Sequence, residues 1–360
     1  MTDQLVYSRA ELLSDHDIAD PLVVGGVRCH GGFLSDGTYV SPRTGARTQA
    51  IAAWGRSHER TYGTEILAAP VDEWPEAYPN VAQTKFLLSR GVREPTIAAL
   101  TRIGTVEGFG AMLPYTIVPD LGTHFAEDVD ATAIAHLERG LIDAHARDEA
   151  GDGEVAGHKD MWFTARDVAF DSPPSEDETQ LMLERLGVGS GSGGGFLTTA
   201  RLVPEIDERV EFLIARMISL LFIEVQAYHT FSWAEAVLSD TDLVAGEGEA
   251  ATLVSYIRQD ESPHVGYLRV VLSEMRDRDF LTTDGGTIAG AEVIGRLYEH
   301  NKASLHSRRD ESYRLMLNEV ERAVEGRRDA ADVLAGFHRA GNVRPGPDGT
   351  FADAVATSEY

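Results

Sequence analysis

The stretch Leu220-Leu-Phe-Ile-Glu-Val-Gln-Ala-Tyr228 belongs to the most apolar helical segment of the chain and carries a single acidic residue, Glu224. Apolar residues cover more than one side of this segment, which is typical of a central helix in a bundle. An ionised carboxylate in such surroundings is costly unless it is paired, protonated or bound to a metal ion. Glu224 is therefore the first candidate functional residue.

A second candidate pair lies on the next predicted helix, in Glu261-Ser-Pro-His264. Residues at i and i+3 share one face of a helix, so Glu261 and His264 can reach a common ion. The short loop before this helix predicts that it runs antiparallel to the Glu224 helix, with Glu224 and Glu261 at similar heights. Ser262 and Pro263 allow another interpretation, because they also form a good helix start that would leave Glu261 outside.

The rest of the chain also has a mainly helical pattern. Helices are predicted at about 94–113, 130–150, 158–170, from about 204, 247–275 and 289–325. Short β-prone runs near residues 21–29 and 38–42 flank the turn signal Ser35-Asp-Gly, which predicts a small hairpin. No internal repeat of solenoid period is present.

We therefore expect a mainly α protein in three parts. Residues 1–90 form an N-terminal cap with a short hairpin and a helix, residues 91–330 form a helical bundle, and residues 331–360 form a C-terminal helix end and tail. The glycine-rich run 187–195 predicts a flexible link between the two halves of the bundle.

The second half of the bundle resembles the ferritin-like di-iron carboxylate proteins. Their pattern is one Glu from each of two helices and Glu-x-x-His from each of the other two. Glu224 matches the lone Glu, and Glu261 with His264 matches the paired ligands. The resemblance covers about residues 130–280, with 94–280 as the wider alternative. It implies a ferritin-like or haem-oxygenase-like helix bundle.

The first half departs from this pattern. Glu107 is expected to pair with Glu138, but position 141 is Leu and not His. His145 follows Glu138 by two helical turns, and this spacing resembles the haem-oxygenase-like di-iron oxidases. The metal ligands that we predict are Glu107, Glu138, His145, Glu224, Glu261 and His264.

Two alternative ligands remain open in the first half. Glu149 lies at i+4 from His145 and shares its helical stripe. His158 would fold back beside His145 or Glu149 if Gly151-Asp-Gly forms a tight turn. Tyr228, one turn after Glu224, is a candidate hydrogen-bond partner of a metal ligand or a candidate redox-active residue, and Asp260 is a candidate partner for a ligating His.

The charge, the cysteine content and the lack of long apolar stretches argue against several classes of function. The formal net charge is −26, from 58 acidic and 32 basic residues, which disfavours binding to nucleic acid or to anionic membranes. Cys29 is the single cysteine, so neither an intrachain disulfide nor a cysteine zinc site can form. No signal peptide or membrane-spanning stretch is recognisable, and we expect a cytoplasmic protein.

The resemblance implies two iron ions, cycling between Fe2+ and Fe3+, with Mn as another metal for the same ligands. It implies an oxidase or oxygenase that uses O2 on a small organic substrate such as an amine, an amino acid or a fatty-acid-like molecule. An external electron donor is expected, and a homodimer is one option. Iron storage, peroxide detoxification and a metal-free helical binding module are the alternatives.

Overall fold

A computed structural model describes residues 3–342 apart from 70, 75, 152, 171–174, 176–178 and 182–200. The predicted link at 187–195 and most of the predicted C-terminal tail lie outside the described residues. Within the described part, no helix combines the length and the apolar character needed to cross a membrane.

The described chain is mainly helical, with a small antiparallel sheet near its N-terminus, as the sequence predicts. The helices are α1 (Arg9–Leu12), α2 (Gly45–Tyr62), α3 (Val81–Ser89), α4 (Glu94–Glu107), α5 (Ala133–His136), α6 (Ile142–Ala150), α7 (His158–Ala169), α8 (Glu208–Leu238), α9 (Glu249–Asp260), α10 (Ser262–Arg276), α11 (Gly290–Val324) and α12 (Ala330–Ala340). The strands are β1 (Asp20–Val24), β2 (Val27–Phe33), β3 (Tyr39–Val40), β4 (Asp279–Leu281) and β5 (Thr287–Ala289).

The strands form two small antiparallel sheets, of order β1-β2-β3 and β4-β5. Strands β1 and β2 are joined by a tight turn in which Gly25 and Gly26 both have positive φ, a conformation that glycine adopts without strain. The register places Val24 opposite Val27. The N-terminal β segment therefore contains two turns, one more than the single hairpin that the sequence predicts.

Helix α8 is the centre of the molecule. It packs against α9, α10 and α11, and Leu213, Ile214, Leu221 and Phe222 are buried along it. Burial on several sides explains why this helix is apolar around much of its circumference. The N-terminal segment shares this core, because Trp54 of α2 packs in the same apolar cluster.

Two predicted helices are interrupted at positions that contain glycine. The predicted helix at 130–150 is wrong as a single helix, since α5 and α6 are separated by the π-helical turn Leu137–Leu141, where Gly140 has φ 142°. The predicted helix at 94–113 ends at Glu107 and continues as the 3-10 segment Gly108–Tyr115. Glycine is a poor former of helix interiors, which favours such breaks.

Helices α9 and α10 meet at Glu261, where both interpretations of Ser262-Pro263 are partly correct. Helix α10 does begin at Ser262, with Pro263 in its first turn. The backbone of Glu261 nevertheless stays helical, with φ −74° and ψ −19°, and its carbonyl accepts a hydrogen bond from the His264 backbone N–H. The side chains of Glu261 and His264 therefore remain on one side of the chain.

Candidate metal centre

Seven histidine and glutamate side chains converge in the interior. They come from the end of α4, from α6, α7 and α8, and from the α9–α10 junction: Glu107, His145, Glu149, His158, Glu224, Glu261 and His264. They form two groups of four that share Glu149, and within each group the potential ligand atoms all lie within 4.8 Å of one another. Such spacing fits one cation per group.

The first group contains His145, Glu149, Glu224 and His264. Nε2 of His145 lies 3.2 Å from Oε1 of Glu224 and 3.3 Å from Oε1 of Glu149. The imidazole rings of His145 and His264 are stacked, with centroids 3.6 Å apart. Nδ1 of His264 lies 3.5 Å from the same Glu149 oxygen. Two imidazoles and two carboxylates thus surround one point.

The second group contains Glu107, Glu149, His158 and Glu261. Nδ1 of His158 lies 2.9 Å from Oε1 of Glu261 and 3.2 Å from Oε2 of Glu149. Oε2 of Glu107 is farther away, at 3.9 Å. This group has three carboxylates and one imidazole.

The two carboxylate oxygens of Glu149 lie near different histidines, and the same is true of the two carboxylate oxygens of Glu261. Oε1 of Glu149 lies near His145 and Oε2 lies near His158. Oε1 of Glu261 lies near His158, whereas Oε2 lies 2.6 Å from Nδ1 of His264. Glu149 belongs to both ligand groups, and Glu261, a member of the second group, also contacts His264 of the first, so these two carboxylates would help to hold two neighbouring cations.

Each of the three imidazoles has its second nitrogen directed away from the centre. Nε2 of His264 lies 2.9 Å from Oδ2 of Asp148, and Nδ1 of His145 lies 3.1 Å from the hydroxyl of Tyr267. Nε2 of His158 is directed toward Asp260, whose Oδ2 is 3.7 Å away. Metal-ligating histidines usually have such an outer partner, because it fixes the tautomer and the ring orientation.

The N-terminal segment holds the outer carboxylate Asp148 in place. Nε of Arg43 donates to its Oδ1 at 2.9 Å, and Nη2 of Arg47, which is fully buried, donates to its Oδ2 at 2.6 Å. Arg43 does this with a positive φ of 53°, an uncommon conformation for a residue with a side chain. Asp148 therefore forms ion pairs with both arginines on the side of His264 that faces away from the centre.

The same N-terminal segment also supports the second outer carboxylate. The hydroxyl of Tyr39 donates to Asp260 at 2.9 Å, and Nε2 of His30 lies 3.0 Å from Oδ2 of Asp260. The residues that the sequence predicts as a cap are thus in direct contact with the partners of two central histidines.

Burial and crowding shift the ionisation of these groups. Burial, reinforced by the charge of Glu261, raises the pKa of Glu224 to about 7 and holds the pKa of Glu107 well above its ordinary value. Burial alone would lower the pKa of His158, but the charges of Glu149 and Glu261 outweigh it and hold that pKa well above its ordinary value. The carboxylates therefore require compensating positive charge, from protons or from cations.

Two features of the cluster fit bound metal ions. Nε2 of His145 and Oε1 of Glu261 are buried and directed to the centre, yet neither makes a hydrogen bond of good geometry. Buried polar atoms without hydrogen bonds are rare in proteins. In addition, two divalent cations would balance the charge of the four glutamates if all are ionised. The residues present therefore fit a two-cation centre.

The structure brings together five of the six predicted ligands: Glu107, His145, Glu224, Glu261 and His264. Both alternatives, Glu149 and His158, lie in the same cluster, and Asp260 lies behind His158. Glu138 does not join them, because its side chain is exposed. The prediction that counted two turns from Glu138 to His145 assumed a continuous helix, and the break at Gly140 changes the direction of Glu138 relative to α6.

Tyr228 is a second correction, because its side chain is exposed and contacts the ring of His229. The tyrosine beside the cluster is instead Tyr267, which sequence reasoning missed although it follows His264 at i+3. Asp148 was missed as well, although it is at i+3 from His145. No local signal identifies the more distant contacts from His30, Tyr39, Arg43 and Arg47.

Comparisons with protein-family models, with curated proteins and with solved structures find no match to this chain. The fold and the site by themselves define a mainly helical protein with buried histidine and carboxylate groups that could hold metal ions.

Proposed function

We propose that this chain is a non-haem di-iron oxidase or oxygenase of the ferritin-like or haem-oxygenase-like type, which uses O2 to oxidise a small organic substrate. The observation that carries the proposal is the pair of adjacent ligand groups that share Glu149, each with at least one imidazole and two carboxylates. A site for a single structural cation would not need a second complete group of ligands beside the first.

The donor set is suited to first-row metals that include redox-active iron and manganese. Carboxylates and imidazoles together suit iron and manganese, and the absence of a thiolate ligand disfavours copper(I) or an iron–sulfur cluster. When bound, a pair of irons would supply electrons to dioxygen. The expectation of two Fe ions, with Mn as an alternative metal, follows from this donor set and from the family resemblance together.

The protein's own contribution is to hold the ligands in place and to keep the centre dry. His145, His158 and His264 have exposed side-chain fractions of at most 1%, so bulk water does not reach them. Their outer partners Tyr267, Asp260 and Asp148 fix the ring orientations before any metal binds. Because water is excluded and the ligands are fixed, side reactions with water are suppressed and oxidation of a bound substrate is favoured.

Metal analysis with matched variants tests this proposal. We expect near-stoichiometric iron uptake by the metal-free chain, and lower iron occupancy with little loss of helicity in Glu224→Ala and His264→Ala. Glu138→Ala is the control, because it removes an exposed glutamate and should leave iron occupancy unchanged. A chain that takes up no iron, or unchanged iron content in both site variants, would reject the metal assignment.

Oxygen consumption separates an oxidase from a storage protein. We expect O2 uptake by the reduced, iron-loaded protein to be coupled to turnover of an organic substrate, in the presence of an external electron donor. Amines, amino acids and fatty acids are the substrate classes to screen first. Accumulation of many irons per chain without any organic product would favour storage or peroxide detoxification.

A further inference from the structure

A third group of potential ligands adjoins the centre. It consists of His30, His158 and Asp260, and one potential ligand atom from each lies within 4.8 Å of those of the other two. All three side chains are buried, with exposed fractions of 4% or less. His158 also belongs to the second group, whereas His30 and Asp260 belong to neither of the groups described above. The third group therefore extends the cluster toward the N-terminal sheet.

Backbone pairing brings His30 to this place. His30 lies on β2, where its backbone N–H donates to the carbonyl of Ala156 at 3.0 Å and the Ala156 N–H donates to the carbonyl of Arg28 at 2.8 Å. Helix α7 starts shortly after Ala156, with His158 as its first residue. The rings of His30 and His158 consequently lie edge to face, with centroids 4.9 Å apart. The position of His30 is thus set by the main chain.

The distances in the third group are suited to one cation. Nε2 of His30 lies 3.0 Å from Oδ2 of Asp260, and Nε2 of His158 lies 3.7 Å from the same oxygen. Two donor atoms on one four-coordinate cation, with bonds of about 2.0–2.2 Å, are about 3.4 Å apart. The two observed distances lie on either side of this value, so small side-chain rotations would bring all three donors to a common ion.

The ion pair between His30 and Asp260 does not satisfy the whole group. Oδ2 of Asp260 is closer to Nε2 of His30 and to the Tyr39 hydroxyl, each at 3.0 Å, than to His158. Among the described residues, Nε2 of His158 makes no hydrogen bond although it is fully buried. Nearly all buried polar atoms in proteins have a partner. A cation between the three side chains would supply one for His158 as well as for the other two.

We infer that a third divalent cation, of the borderline kind represented by Zn(II), binds to Nε2 of His30, Nε2 of His158 and Oδ2 of Asp260. Two imidazoles and one carboxylate are a common donor set for such ions, and three protein ligands leave a fourth position for water. This inference goes beyond the proposed function, because the third group needs no redox chemistry and shares only His158 with the centre.

His158 would connect the third cation to the second group. Its Nδ1 lies 2.9 Å from Glu261 of the second group, whereas its Nε2 faces Asp260. When both nitrogens hold a cation, a bond from Nε2 to the third cation replaces the N–H bond, and the proton passes to water. The negative charges of the deprotonated ring and of Asp260 then balance the third divalent cation.

The third cation should bind more weakly than the other two. Nδ1 of His30 makes no hydrogen bond among the described residues, so this ligand lacks the outer partner that His145 and His264 have. Loss of such a partner typically lowers metal affinity by about 10–100-fold. A site of this kind also binds Fe(II) more weakly than Zn(II). We therefore expect two irons per chain when iron is supplied stoichiometrically, and a third cation only with excess Zn(II).

Equilibrium dialysis of the metal-free full chain against Zn(II) tests this inference. We expect three Zn(II) per chain in the parent, the third with an affinity lower by about tenfold or more. His30→Ala should bind two, because it removes a donor that only the third group contains. Tyr39→Phe should still bind three, since it removes a hydroxyl that donates to Asp260 but no donor to the cation. His338→Ala, an exposed histidine on α12, is the matched control and should also bind three.

Two results would overturn the third cation: a parent that saturates at two Zn(II), or a His30→Ala chain that still binds three. Equal losses in His30→Ala and His338→Ala would also overturn it, because they would indicate adventitious surface binding. Far-UV circular dichroism checks the fold of each variant. If His30→Ala does not fold, Co(II) titration of the parent decides: the third equivalent should give the strong visible absorption of four-coordinate Co(II), and a weak absorption would overturn the assignment.

The outcomes also separate the third cation from the proposed function. A parent that binds two irons but no additional Zn(II) would overturn the third cation and leave the proposed function intact. A parent that binds a single Zn(II), and loses it in His30→Ala, would support the third group and reject the two-iron centre.

Discussion

Oδ2 of Asp148 lies 2.9 Å from Nε2 of His264, on the opposite side of the imidazole ring from the carboxylate of Glu261. The ring is thereby held between an outer carboxylate, anchored by Arg43 and Arg47, and an inner carboxylate of the candidate metal centre. This relationship connects the N-terminal segment to the centre of the bundle, and it has measurable consequences for both stability and metal affinity.

Asp148→Asn should strongly destabilise the protein. The substitution leaves the buried guanidinium group of Arg47 without its negative partner and leaves Arg43 with only the 3.5 Å contact to Asp15. Removing one member of a buried ion-pair network typically costs about 3–5 kcal/mol of unfolding free energy. Urea unfolding of the metal-free protein measures the loss, and a change below about 1 kcal/mol would show that the network is worth no more than a surface ion pair.

Asp260→Asn should weaken metal binding more than it weakens the fold. Asp260 faces Nε2 of His158 but, among the described residues, pairs with no arginine or lysine, so its loss uncovers no buried guanidinium. Loss of an outer partner of a ligating histidine lowers metal affinity by about 10–100-fold. Titration with Mn(II), following free Mn(II) by EPR, gives the affinity. Asp160→Asn, an exposed position on α7, is the control and should bind like the parent.

Gly110→Ala should impair the centre although it adds only a methyl group. That methyl group would overlap the Cβ and Cγ of Glu149, and the glutamate would have to move from its position between the two ligand groups. We expect the Fe(II) affinity to fall by about tenfold or more, as for other displaced ligand supports. Gly295→Ala in α11 is the matched control, since nothing lies within 4 Å of a methyl group there. Equal affinities in the two variants would contradict the role of Gly110.

Glu274→Gln should change how stability depends on pH. Burial raises the pKa of Glu274 to about 8, although Arg278 opposes the shift and the Ile134 backbone N–H donates to its Oε2. The folded protein then keeps a proton that the unfolded chain, with an ordinary value of 4.5, releases. Unfolding free energy should therefore fall by at most about 1.4 kcal/mol per pH unit as the pH rises from about 5 to 8.

The glutamine variant should lack this part of the pH dependence, because its side chain stays neutral. Urea unfolding of both proteins at several pH values isolates the contribution of Glu274 from those of other titrating groups. Parallel stability curves for the parent and Glu274→Gln would show that the carboxyl is ionised in the folded protein throughout this range.

The part of the site that the sequence predicts best lies on uninterrupted or nearly uninterrupted helices. Glu224 is recognisable because a carboxylate on an apolar helix needs a partner. Glu261 and His264 are recognisable because the backbone stays helical through the α9–α10 junction, so the two side chains still lie on one side of the chain. In the first half, the break at Gly140 separates Glu138 from the stripe of His145 and Glu149. Helical spacing alone could therefore not choose among the candidates there.

The outer partners were harder to predict because they depend on contacts between distant parts of the chain. Tyr267 and Asp148 lie one turn from a ligand candidate and had a local signal. His30, Tyr39, Arg43 and Arg47 precede the bundle by many residues, and their positions follow from how the N-terminal segment packs on it. The predicted boundary at residue 90 assigns these four residues to the cap, yet their side chains contact Asp148 or Asp260 beside the site.

Iron stoichiometry of the anaerobically reconstituted protein tests the central claim most directly. Two Fe per chain are predicted for the parent, with a clear loss of both in Glu149→Ala, because Glu149 belongs to both ligand groups. Glu138→Ala should still bind two. A parent chain that saturates at one iron or none, or a Glu149→Ala chain that still binds two, would contradict the account.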